Sequence, residues 1–350
     1  MTISAIICTH NPRQHYLQRA LSALEAQTLP KPEWEVLLID NASTKPLRAA
    51  GSRPEARGQR SDAGDQRSEG GGQGAENGGR RSEDRGQRSE DGDRRSEGGG
   101  HEAFDLSWHP NARLIREDKV GLTHARLRGI AEARGELIVF IDDDNLLASD
   151  YLERCAGIAA AWPQLGVWGG SVAGEFEVTP PEWIKRFLPG MVVYEIDRDY
   201  WSNMAVWSSA IPFGAGMCIR TPLAKSYAEQ VKNDPLRQQL GRTGKNMTAS
   251  EDVDLAFTVI DQGFGTARFK DLKITHLIPK ERLTEDYVVR LFSGFEVSGA
   301  AFARMRGEKH LPLFGDLRSE LRFWKKYLES SPVDRKIQLS ARRQMKAVRA

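Results

Sequence analysis

Residues 135–144 read Gly135-Glu136-Leu137-Ile138-Val139-Phe140-Ile141-Asp142-Asp143-Asp144. The unbroken apolar run from Leu137 to Ile141 predicts a strand covered on both faces. Three carboxylates follow it at once, and clustered ionised carboxylates repel one another and are costly to bury. Packing alone does not account for them, whereas a bound positive group does. In an open α/β sheet, ligands bind beyond the carboxyl ends of the strands. Oxygen donors placed there suit Mg2+ or Mn2+ bridging a carboxylate and a diphosphate. The competing reading is a polar turn, Asp142 to Asn145, that caps the next helix.

Moving outward from this stretch, strands and helices alternate. Ile3 to Cys8 predicts a strand, Asn11-Pro12 a helix start, and Leu17, Ala20, Leu21 and Leu24 recur at helical spacing. Trp34 to Ile39 predicts a second strand, Ala112 to Ile115 a third and Thr123 to Ala133 a helix. A further helix to Trp162, strand-like pieces at 167–178 and 213–219, and a helix from Asp252 to Gln262 come next, with helices dominating after Thr284. The alternation predicts an α/β fold with a mostly parallel sheet covered on both faces.

Between Gly51 and Gly100 the chain is a loose repeat of Gly, Arg, Ser, Glu and Asp, with Pro54, Ala56, Ala63 and Ala75 as its only apolar members. Such a stretch buries nothing that offsets the entropy of ordering it, so a disordered low-complexity insertion is expected over 49–102. The folded domain then comprises 1–48 and 103–282. A helical extension covers 283–350.

Composition excludes little. Among 350 residues the formal charge is +2 with both signs dispersed, so no field marks a nucleic-acid binder. The three cysteines, Cys8, Cys155 and Cys218, lack metal or redox spacing and read as reduced core residues. The N-terminus shows no secretory pattern and no apolar run approaches the ~20 residues that span a bilayer, so a cytoplasmic location is expected. The basic C-terminal stretch with Arg335, Lys336, Arg342, Arg343 and Lys346 leaves peripheral contact with the inner membrane face open beside a solvated helix face. Trp324, Tyr327 and Leu328 are expected to dock on the catalytic domain.

Polar clusters end the first two strands as well: Thr9-His10-Asn11 and Asp40-Asn41-Ala42-Ser43. Together with Gly121-Leu122-Thr123-His124-Ala125-Arg126 and the 135–144 stretch, in this order, they resemble family 2 glycosyltransferases. The resemblance covers roughly residues 2 to 300 without the insertion. It implies the GT-A fold, with a nucleotide-binding half to about residue 150 and an acceptor half after it, and an inverting, nucleotide-sugar-dependent transferase assisted by Mn2+ or Mg2+. The implied partners are a nucleotide-sugar donor, with a UDP-sugar favoured, and a saccharide or lipid-linked glycan acceptor in surface polysaccharide or glycan biosynthesis.

Carried over by position, the resemblance implies Thr9 and Asn11 lining the nucleotide pocket, Asp40 bonding the base and Ser43 beside it. Helix capping is the plain alternative for Thr9 and Asn11. Asp142 would face the ribose, Asp144 would bind the metal, and Asp143 would shape the turn between them. Arg126 would approach the diphosphate with charge-assisted bonds, although Leu127 stands where the family has asparagine.

Glu251-Asp252 resembles the acidic pair under the acceptor site, with Asp252 as base and Glu251 in reserve. Thr248 and Glu251 also have capping-box spacing, and first-turn carboxylates suit the helix dipole regardless of catalysis. His276 resembles a late metal ligand, and Arg282 follows it as a phosphate contact. Phe213-Gly214-Ala215-Gly216-Met217 resembles the glycine segment near the donor sugar, where an absent side chain lets a ligand approach. Trp168 is a candidate to flank that sugar. Two other readings stand: a nucleotidyltransferase acting on sugar phosphates, and a non-catalytic glycan-binding scaffold with a vestigial donor site.

Overall fold

Alternation of side chains within the strands sets the layering of the computed structural model, which describes residues 1–49, 103–243, 249–307 and 317–349. Strand β1 (Ile3–Thr9) is buried throughout. Its Ile3, Ala5 and Ile7 join one apolar layer while Ile6 and Cys8 join the other. The flanking strands β2 (Trp34–Asn41), β3 (Ala112–Glu117) and β4 (Leu137–Asp142) pair parallel to give the order β3-β2-β1-β4.

Three further strands are short: β5 (Asn145–Leu147), β7 (Tyr200–Ser202) and β8 (Cys218–Arg220). Two are long, β6 (Leu165–Phe176) and β9 (Gly265–Ile278). The sheet continues β4-β8-β6-β9-β5, with β7 on β9. Strand β8 is antiparallel to both β4 and β6, whereas β6 and β9 are parallel. The C-terminal ends of β1, β2, β4, β6 and β9 therefore share one edge, which also receives the N-terminal end of β8.

Helices α1 (Gln14–Glu25) and α3 (Tyr151–Ala161) cover one face through Leu17, Leu21, Leu24, Tyr151, Leu152 and Cys155. Helices α2 (Leu122–Glu132), α4 (Thr221–Lys232) and α6 (Glu251–Asp261) cover the other through Ala125, Ile130, Leu223, Tyr227, Val253 and Phe257. A single turn, α5 (Pro235–Gln238), comes directly after α4. C-terminal to α6 and β9 lie α7 (Glu285–Met305), α8 (Leu317–Glu329) and α9 (Pro332–Arg349). The three cysteines are buried and free.

The mixed α/β architecture, a sheet with helices on both faces, is the one expected. Several local expectations change. Helix α1 starts at Gln14 and is capped by Arg13, not Asn11, because Asn11 adopts a left-handed backbone (φ 49) that ends β1. Asn145 opens a strand paired with β9 instead of a helix cap. The strand expected at 213–219 narrows to Cys218–Arg220. Helix α6 begins from Ser250, and Thr248 lies outside the described residues.

The expected insertion, 49–102, lies outside the described residues apart from Ala49, which pairs with Phe104 in an isolated bridge. In the C-terminal helices Phe323, not Trp324 or Leu328, turns inward. Trp324 and Leu328 stay exposed, the Trp324 ring meeting Arg342 of α9 with its Cζ 5.4 Å away. Arg335 donates to the Leu328 carbonyl, Lys336 pairs with Glu285, and Arg342 binds Glu320 at 2.7 Å, so much of this basic stretch ties helices together. Among the described residues no helix is long and apolar enough to cross a membrane.

Candidate active site

The shared edge opens into a cleft of about 1160 Å³. Of the residues singled out in the sequence, Thr9, Arg126, Asp142, Asp143, Asp144, Gly214, Glu251, Asp252 and His276 line it. Backbone register brings the strand ends together: Thr9 pairs with Asp40, and Cys8 pairs with Asp142.

Asn11, Asp40, Ser43 and Gly216 fall outside the lining, for identifiable reasons. The Asp40 carboxylate accepts from the amides of Ser43 (3.1 Å) and Leu47 (3.0 Å) and from Arg116 Nη1 (2.7 Å). Burial opposes its charge, yet these bonds prevail and hold its pKa below the ordinary carboxylate value. Ser43 Oγ accepts from the Asn11 amide at 2.9 Å, and Asn11 Oδ1 accepts from the Thr44 amide at 2.9 Å. These side chains fasten two strand-end loops to each other. In their place His10 and Asn41 reach the cleft, coupled by a 2.6 Å contact between His10 Nδ1 and the Asn41 carbonyl.

The two glycines divide. At Gly216 (φ 68) an added Cβ would lie 2.1 Å from Ile274 Cδ1, and its carbonyl accepts from Tyr151 Oη at 2.7 Å. Backbone conformation and packing, not ligand approach, require glycine there. At Gly214 a Cβ would meet Arg126 Nη2 at 2.3 Å, so the missing side chain makes room for that guanidinium. Preceding it, Phe213 stacks on Arg268, whose Cζ lies 4.6 Å from the ring. Trp168 is fully buried, so it belongs to the core and flanks no ligand.

Arg126, itself buried, crosses the floor of the cleft. Its Nη1 donates to Glu251 Oε1 at 3.2 Å, its Nη2 stands 3.9 Å from Asp142 Oδ1, and its Cζ lies 5.3 Å from the Phe140 ring. Burial pushes Glu251 up to about 7, the attraction of Arg126 only partly opposing it. Asp252 is more open. Its Oδ2 accepts from the Gly214 amide at 3.0 Å and its Oδ1 from the Val253 amide at 2.8 Å. The first turn of α6 thus presents one carboxylate to the cleft and keeps the other beneath it.

In the acidic triplet, Thr9 Oγ1 donates to Asp143. Asp144 is buried and bonded to Arg282 Nη1 at 2.9 Å, with His276 Nε2 3.5 Å away. Although burial opposes its charge, the Arg282 guanidinium holds Asp144 well below the usual carboxylate range. Burial and the neighbouring Asp144 push Asp143 up to about 7. Arg282 Nη1 is also 3.0 Å from His276 Nε2, and because guanidinium only donates, that nitrogen accepts with its lone pair. Arg282, a secondary candidate in the sequence, emerges as the main cation at this end.

Among the described residues no three His, Cys, Asp or Glu side chains form a protein-only metal cage. Mg2+ on a diphosphate needs only one or two protein ligands, the phosphates and water supplying the rest. The Asp144 carboxylate and the His276 Nε2 lone pair, both now directed at the Arg282 cation, meet that smaller requirement.

The family model described as Glycosyl transferase family 2 matches residues 4–52 and 100–219. Two curated relatives, each named N-acetylglucosaminyltransferase, are similar: one from Rhizobium sp. (strain N33), 26% identical and covering 47% of this chain, and one from Rhizobium meliloti (strain 1021), 24% identical over 47% of it. The chain spans only 35% and 37% of those proteins' lengths. Similar solved structures include S. aureus TarS (TM-score 0.47, 14% identity, 91% of this chain and 46% of that one). Another is TarS 1-349 in complex with UDP-GlcNAc (TM-score 0.44, 14% identity, 100% and 92%). With the ordered motifs at its strand ends and the family model matched on both sides of the insertion, the chain is similar to glycosyl transferase family 2 over residues 4–52 and 100–219.

Proposed function

We propose that this chain moves a sugar from a nucleoside diphosphate donor to a saccharide hydroxyl, free or lipid-linked, with inversion at the anomeric carbon. UDP-N-acetylglucosamine is the first donor to try, in keeping with the names of the two curated relatives. The observation that carries this reading is the shared cleft. It holds a buried carboxylate just past the end of β4, beside a histidine of β9 and an arginine just past that strand, and an accessible carboxylate fixed by two backbone amides at the start of α6.

Asp252 is the base in this proposal. Its carboxylate takes the acceptor proton as the acceptor oxygen forms a bond to the anomeric carbon, and the electron pair of the breaking bond leaves with the diphosphate. Two amide donors fix the orientation of Asp252 without neutralising it. Glu251, buried and paired with Arg126, positions this turn. Asp142 and Thr9 face the nucleotide, and Arg282 meets the diphosphate with charge-assisted bonds. Asp144 and His276 are the residues that would hold Mg2+ or Mn2+, which when bound supplies Lewis-acid neutralisation of the leaving group.

The test is hydrolysis and binding across UDP-, GDP- and dTDP-sugars with and without either metal, followed by the anomer formed, read by NMR. Supporting results are turnover of one donor, its loss in Asp144→Ala, and product of inverted configuration. Absence of binding by every donor under either metal favours the vestigial-site reading and removes the proposal.

A further inference from the structure

The tryptophans divide: Trp34 and Trp168 are among the largest fully buried side chains, whereas Trp183, Trp201, Trp207 and Trp324 are exposed. Trp207 lines the same cleft as Asp252 and is 66% exposed. It belongs to a run of exposed apolar side chains in and just after β7, with Trp201, Met204 and Val206. A concentrated exposed apolar patch at a cleft marks a binding surface, not a packing residue.

The loop holding Trp207 is built, not loose. On its upstream side the Met204 amide donates to Ser202 Oγ at 3.1 Å, and the Val206 amide donates to the Met204 carbonyl at 2.8 Å. Downstream, Ala210 and Ile211 are buried, and the Ala210 carbonyl accepts from Thr266 Oγ1 at 2.9 Å. The indole leans edge-on against Phe257 of α6, centroids 6.4 Å apart, which ties it to the helix whose first turn carries Asp252. A rigid aromatic surface supplies contact area at small cost in conformational entropy.

From this placement we infer that Trp207 is the stacking platform for the acceptor, and that its occupant is a pyranose ring of gluco configuration. Such a ring, with its hydroxyls equatorial, presents a flat C–H face that an exposed indole can cover while the hydroxyl edges stay hydrated. The inference rests on the transferase reading for its link to catalysis, since Trp207 would hold the ring whose hydroxyl Asp252 deprotonates. It is a specificity residue, and nothing in the donor end of the cleft depends on it.

The experiment uses the full chain with cellotetraose, chitotetraose and a mannose tetramer as probes, followed by saturation-transfer NMR and titration, in wild type, Trp207→Ala and Trp207→Phe. UDP binding and donor hydrolysis are measured in parallel. The expected result is binding of a gluco-configured tetramer with saturation on its C–H face. It should weaken at least roughly tenfold in Trp207→Ala, as for loss of an aromatic anchor, and be largely kept in Trp207→Phe, with UDP binding unchanged. Failure of all three probes to bind wild type, equal binding by Trp207→Ala, or preference for the mannose tetramer overturns the inference. If saccharide binding depends on Trp207 but no donor is hydrolysed, the transferase reading falls and the platform stands; the opposite pattern removes the platform alone.

Discussion

Arg126 Nη1 and Glu251 Oε1 meet 3.2 Å apart, on side chains each only 8% exposed. Cutting one member from a buried pair leaves the other charge without compensation, at a cost of about 3–5 kcal/mol. Arg126→Leu should therefore lower stability in urea unfolding by about that amount. The pH dependence has a defined sign. Glu251 is raised to about 7, so its contribution to stability is complete below its unfolded value near 4.5 and is lost as pH rises through about 7. Between pH 5 and 8 the unfolding midpoint of Glu251→Gln should fall less than that of wild type; parallel curves would exclude this group as the source.

Asp252→Asn preserves shape and removes the proposed base. Transfer to an acceptor should drop by about 10²–10⁴-fold, the usual worth of general base catalysis, while donor affinity stays within about twofold of wild type, since the altered atoms act on the acceptor. Retention of full transfer would shift the base to another residue.

Arg282 contacts both Asp144 and His276. Replacing it by alanine should weaken donor binding by about tenfold or more, the worth of a charge-assisted bond. Chelation of divalent metal should abolish donor hydrolysis in wild type, with Mn2+ or Mg2+ restoring it. Calorimetry of UDP binding with and without metal checks both statements, and metal-independent affinity would contradict the second.

Away from the cleft, His109 packs edge-on against Trp34 at 4.2 Å and is buried. Burial, with the nearby Lys31 charge, holds its pKa down to about 4. A depressed histidine contributes stability that is present above its unfolded value near 6.5 and lost as pH falls through about 4. In thermal melts from pH 7 to 4, His109→Phe should lose less of its melting temperature than wild type.

The parallel core was legible because an apolar strand that ends in charge announces both its burial and the edge of its sheet. Leu137–Asp142 lies within one residue of its expected span. Side-chain allegiance was harder to read. Asp40, Ser43 and Asn11 have the polarity of ligand contacts, but their partners are backbone amides and an arginine brought near only by folding. The contrast between Trp168 and Trp207 is of the same kind: local composition does not tell a buried indole from an exposed one. Short strands such as β5 and β7 carry too few residues to establish a period, and their pairing to β9 is entirely long-range.

The antiparallel course of β8 divides the sheet between two independently anchored halves. Between Phe176 and Cys218 the chain leaves the sheet at the edge where the acidic triplet stands and re-enters it there, touching it in between through β7 on β9 and the Val172–Tyr194 bridge. Among the described residues, strands β1, β2 and β4 pair only with one another, with β3 and with β8, so their register does not run through this segment. The half of the sheet that ends in the acidic triplet is thus anchored independently of the loop that carries Trp207.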